Sequence, residues 1–152
     1  MLIRLPIHGF KDVKLYFSFM QTYNFLHGFL IEQGVSETEA TNYVNYTKPK
    51  TKGRTTLFAN NDLILVKLNY WDSSIRTVSV LVHEIIHAAK RVLDIQFSKT
   101  EHILLQPEEA ECYMADYIFE EFFKILKPEI NYIEEPRNLD WFYEVTHAVK
   151  KE

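Results

Sequence analysis

His83-Glu84-Ile85-Ile86-His87 is the pattern in this sequence with the clearest chemical content. Two histidines four residues apart on a helix project from one face about one turn apart, so both imidazoles can reach a single metal ion. Glu84, about 100° round the helix from His83, can address a metal-bound water and not the metal itself. Zinc is the expected ion: it lowers the pKa of bound water to about 7, and a neighbouring glutamate can take the proton as water attacks a carbonyl. The bland reading is a buried helix with two structural histidines. It must supply hydrogen-bond partners for two imidazoles and a carboxylate on a segment otherwise rich in Val, Leu, Ile and Ala, which makes metal binding the better account.

A catalytic zinc needs a third protein ligand and an open position for water. Downstream, Pro107-Glu108-Glu109 has the form of a helix start, with proline at the first position and carboxylates in the first turn, and Glu108, Glu109 and Glu111 are candidates. Helical projection puts Cys112, Ala115, Phe119, Phe122 and Leu126 on the core face. Glu108 and Glu111 flank that face, while Glu109 points toward the charged side with Asp116 and Glu120. The projection therefore favours Glu108 or Glu111.

The segment Leu81-Val-His-Glu-Ile-Ile-His-Ala88, followed by Glu109-Ala-Glu-Cys112-Tyr113, resembles the gluzincin group of zinc metallopeptidases. In pattern it is closest to small zincin-like proteins of phages and prophages, and the likeness covers about Thr55 to Phe119. The resemblance implies His83, His87 and Glu109 as zinc ligands and Glu84 as general base. Tyr113 stands where that group usually has an acid or amide, so the orientation of the ligand histidines is a point of departure. Glu108 stays open as the alternative third ligand. The resemblance also implies a minimal zincin core in which an exposed strand before the metal helix pairs with an extended peptide; Leu63 to Tyr70 is the candidate, an ordinary packed hairpin strand being the other reading.

The elements that must hold these residues are legible in part. Leu2 to His8 is expected as a short strand, and Asp12 to Gln33 as an aromatic helix with Gly34 just beyond its end. Ser36-Glu-Thr-Glu39 is a capping box that predicts a helix to about Tyr46. Lys48 to Arg54 is a cationic, breaker-rich loop, read as solvated before being read as an anion site. Thr55–Ala59 and Leu63–Tyr70 form a predicted hairpin around Asn60-Asn61-Asp62. Asp72 or Ser73 should cap a buried helix reaching about Val92. Another helix should run from Pro107 to Leu126 or Lys127, and a last one from about Asp140 to Val149. The expected fold is α+β and mostly helical, a minimal zincin-like core in which a small β-hairpin or sheet packs on the HExxH helix and a second ligand-bearing helix. Residues 1–152 are expected to form a single domain.

Other residues carry weaker signals. His102 could face the cleft as a hydrogen-bond donor, but an exposed loop histidine is the simpler reading. Glu144-x-x-His147 has a spacing known from carboxylate-bridged metal sites; the spacing recurs here only inside the HExxH pattern, at Glu84 and His87, and the simpler reading of Glu144 and His147 is kept. Tyr113 could polarise a carbonyl or serve as a core tyrosine, and Cys112 reads as a small buried residue.

Composition bounds the rest. The chain has 152 residues, 47% of them apolar, with 11 Phe, 9 Tyr and 2 Trp, which excludes a disordered chain. It is large enough to fold without a metal. The formal charge of −4 argues against nucleic acid as a partner, and no apolar run is long enough to span a membrane. One cysteine and an opening segment without a signal-peptide core point to a cytoplasmic protein. The expectation is thus a zinc-dependent hydrolase acting on protein or peptide; the alternative is a catalytically inactive zincin-like module for metal binding or protein interaction.

Overall fold

A computed structural model describes residues 1–7, 10, 12–45, 52–98 and 107–126. Within these the architecture is α+β, with a four-stranded mixed sheet and four helices. They are β1 (Leu2–Leu5), β2 (Lys14–Phe19), α1 (Tyr23–Glu32), α2 (Glu37–Asn45), β3 (Gly53–Phe58), β4 (Leu63–Leu68), α3 (Ile75–Ser98) and α4 (Pro107–Leu126). The expected helix near 140–149, the loop at 134–136, and His8, Tyr46, His102, Glu144 and His147 lie outside the described residues.

The strand order is β1-β2-β4-β3. β2 pairs antiparallel with β1 and parallel with β4, and β3 closes the sheet as an antiparallel partner of β4. The parallel pair explains the long excursion through α1, α2 and β3, since parallel neighbours need a crossover. Leu63-Ile-Leu-Val-Lys-Leu68 is buried at every position. A strand covered on both faces reads as a continuous apolar run, which is the signature of a central strand. The expectation that this strand forms the exposed edge is therefore corrected: the edge on that side is β3, whose Gly-Arg-Thr-Thr sequence is half-buried.

A second correction concerns residues 12–33. Lys14–Phe19 is a strand, and the helix begins only at Tyr23. Leu15 to Phe19 are buried on both faces of the sheet, an environment that suits aromatic side chains in extended backbone. Met20, at φ 56°, breaks the strand, and the Thr22 hydroxyl caps α1 by accepting from the Phe25 N–H at 3.2 Å. Gly34, at φ 84°, takes the left-handed position just past α1 where glycine is expected.

The capping box before α2 forms as read: the Glu39 N–H donates to Ser36 Oγ, which donates to Glu39 Oε2, both at 3.2 Å. The hairpin also forms, with Asp62 at φ 50° in its turn. β3 starts two residues earlier than predicted, so Gly53 and Arg54 belong to the sheet and not to the cationic loop. For α3 the first-turn cap is Ser74, not Asp72 or Ser73: its Oγ accepts from the Thr77 N–H at 3.4 Å, while Asp72 braces the Ser74 N–H at 2.9 Å. The helix then continues six residues past Val92, because Leu93 and Ile95 extend its buried face.

Two cores flank the sheet. On one face, Leu15, Phe17, Phe19, Ile64, Val66 and Leu68 pack against α3 and α4. On the other, Tyr16, Phe58, Leu63 and Leu65 pack under α1 and α2. α4 contributes Met114, Ile118 and Phe122, a stripe at i, i+4, i+8. That phase leaves Cys112 exposed, against the expectation that it is buried. Among the described residues, no helix is long and apolar enough to cross a membrane.

Candidate metal and catalytic site

α3 divides its residues by helical phase. Leu81, Ile85, Ala88, Ala89 and Val92 face the sheet and α4, and Glu84 shares this buried side. Val82, His83, Ile86 and His87 face outward. The two histidines, one turn apart, bring their Nε2 atoms to 3.1 Å, with the rings at 79° to each other. As neutral rings, one Nε2–H can donate to the other Nε2. The same convergence fits a shared cation: zinc bound at 2.0–2.1 Å in tetrahedral geometry requires its nitrogens to be about 3.3 Å apart. The donor set of this turn thus fits two positions of such an ion.

Glu84 is only 5% exposed and points to β3. The Thr55 hydroxyl donates to Glu84 Oε2 at 2.6 Å and lies 3.1 Å from the Glu84 carbonyl oxygen. One proton faces two acceptors, and the shorter, charge-assisted bond to the carboxylate is the stronger. Gly53 makes the space. A Cβ built there would stand 2.9 Å from Glu84 Cγ, 3.0 Å from Glu84 Oε1 and 3.0 Å from Val80 Cγ1. Edge strand β3 thus fixes the carboxylate through a missing side chain and a hydroxyl two residues on, both on the α3 face.

Neither Gly53 nor Thr55 is apparent as a site residue from the motif alone. The signal that finds them is the period of two in β3, which puts 53, 55 and 57 on one face, combined with the knowledge that this face meets α3. Gly53→Ala is expected to push Glu84 from its bond with Thr55 and to destabilise the fold by about 1–3 kcal/mol, as overpacking does. Thermal unfolding of the variant checks this, and a midpoint equal to that of the parent would show that Glu84 moves aside freely.

Glu108 and Glu109 occupy the first turn of α4, which packs on α3, and both are exposed. The structure brings His83 and His87 together. Among the described residues, no third His, Cys, Asp or Glu joins them in a group of three. Tyr113 also lies on α4, with a buried hydroxyl that has no hydrogen-bond partner among the described residues. Comparison of the chain with protein-family models, with curated proteins and with solved structures finds no match.

Proposed function

We propose that this chain is a zinc-dependent hydrolase of the metallopeptidase type, similar to gluzincins and to small phage and prophage zincin-like proteins. The observation that carries the reading is the meeting of His83 and His87 Nε2 at 3.1 Å on the turn of α3 that also bears Glu84. His83 and His87 supply two ligands; Glu109 is the proposed third, with Glu108 as the alternative. When bound, zinc supplies Lewis acidity toward water and a substrate carbonyl. Glu84 is the general base: it takes a proton from the attacking water and returns it to the leaving amine. Thr55 engages Oε2, which leaves Oε1 as the oxygen that handles the proton.

A peptide substrate suits this arrangement because the outer edge of β3 runs beside Glu84. An extended peptide added to that edge would form main-chain hydrogen bonds and pass close to the carboxylate. A cytoplasmic setting, with Cys112 reduced, belongs to the same proposal.

The deep burial of Glu84 favours a second reading, in which the turn is a metal-binding or interaction module without catalysis. Quenched fluorescent peptide mixtures separate the two. The hydrolase reading predicts cleavage by the zinc-loaded chain, its loss on chelation and its return with added zinc. Zinc binding with stabilisation but no cleavage of any mixture would establish the module instead.

A further inference from the structure

We propose that, when zinc is scarce, two copies of this chain share one ion through His83 and His87 of each, with their α3 helices antiparallel. This inference rests on the reading of the histidine pair as a zinc site and adds a regulatory state to it. The observation behind it is a stripe on the outward face of α3. Arg76, His83, His87 and Asp94 are all exposed, and at about 100° per residue they fall within about 40° of one another round the helix. Arg76 lies seven positions before His83, and Asp94 lies seven positions after His87. The stripe is thus symmetric in position about Ile85 and opposite in charge at its two ends.

A twofold axis through that midpoint makes the stripe complementary to itself. In such an interface residue i meets residue j of the second copy, and j meets i. Antiparallel α3 helices then set His83 of one copy level with His87 of the other, and Arg76 level with Asp94. Lys90 and Arg91 fall opposite Val80 and Ser79, so no like charges are opposed. A parallel pairing would oppose Arg76 to Arg76 and Asp94 to Asp94, which charge complementarity disfavours. Arg91 reaches Asp94 within its own helix at 3.4 Å, and the Asp94 side chain is still 47% exposed, open to a second cation.

The imidazoles suit the same arrangement. His83 and His87 Nε2 stand 3.1 Å apart, near the spacing of about 3.3 Å that tetrahedral zinc requires. Two such pairs facing each other supply four nitrogens and complete the shell. Structural zinc sites are closed by four protein ligands, whereas a catalytic site keeps one position for water. The shared state therefore lacks hydrolytic capacity. Excess zinc divides it by mass action into single chains with one ion each. The stripe is polar, with only Val82 and Ile86 as exposed apolar neighbours, so the two copies have little to hold them together without the ion.

Sedimentation equilibrium of the full chain, titrated with zinc from none to a large excess, tests this. The mass should double near one zinc per two chains, and should be that of a single chain both without zinc and at large excess. Arg76→Asp and Asp94→Arg each oppose like charges at both ends of the stripe, and each alone should weaken the zinc-linked dimer by at least about 5-fold. An equimolar mixture of the two variants sets opposite charges together again and should recover the dimer. Both positions are exposed and neither is a proposed zinc ligand, so fold and zinc uptake should stay as in the parent chain. A single-chain mass at every zinc ratio, with zinc bound, would overturn the shared state and leave the zinc site standing; no zinc uptake would overturn both. A dimer that forms without zinc or survives His87→Ala, or a mixture that dimerises no better than either variant alone, would also overturn it.

Discussion

Glu84→Gln is expected to lower peptide hydrolysis by about 10²–10⁴-fold while leaving zinc affinity essentially as in the parent chain. The substitution keeps the shape of the side chain and lets its amide oxygen accept the Thr55 hydroxyl as the carboxylate does now. What it removes is the oxygen that can take a proton. His83 and His87 lie on the exposed face of α3 and are untouched. Because Glu84 is buried, replacing a carboxylate by a neutral amide also lessens desolvation, so the fold should not weaken. Steady-state cleavage together with metal content of the purified variant gives both readouts. Unaltered hydrolysis in the variant would remove Glu84 from the mechanism.

The largest expected effect on stability comes from Phe122→Ala, at about 3–5 kcal/mol. Phe122 is fully buried at the junction of α4 with the sheet. Its ring centroid lies 4.6 Å from that of Phe17 and 5.6 Å from that of Phe19, and Phe19 continues the cluster to Trp71 at 5.1 Å. Truncation would open a cavity among rings that cannot all shift to fill it. The unfolding midpoint in urea or heat reads the loss. The same change bears on the site, since α4 carries Glu108 and Glu109. A loosened α4 should weaken zinc binding in the folded variant even though no proposed ligand has been altered.

Local signals made the shorter elements legible. The capping box at Ser36, the turn residues around Asp62 and the proline start of α4 each act within one turn of chain, and all three form as read. The strand β2 was hidden because Val13, Phe17 and Met20 happen to fit a helical period. Only the pairing of β2 with β1 and β4 makes Leu15 through Phe19 a buried strand. The same non-local pairing decides which strand is the edge. Leu63–Leu68 looked like a hairpin arm until β2 covered its other side, which passed the edge to β3.

At the site, the spacing of His83 and His87 was sufficient to predict that they meet, because helical geometry is local. The burial of Glu84 was not, since it depends on Gly53 and Thr55 arriving from another element. Cys112 shows the same boundary on α4. A helical projection from apolar residues alone placed it inward, but contacts of Met114, Ile118 and Phe122 set the phase of the helix and turned it outward.

The central claim, that the turn of α3 bearing His83 and His87 is a zinc site, is tested most directly by titrating the metal-free folded chain with zinc against a competing chromophoric chelator. The expected result is about one zinc per chain, with affinity falling at least about 10²-fold in His83→Ala and in His87→Ala. Glu109→Gln should weaken binding, or Glu108→Gln in its place if that residue is the ligand. A chain that takes up no zinc, or that binds it equally well without either histidine, would contradict the account.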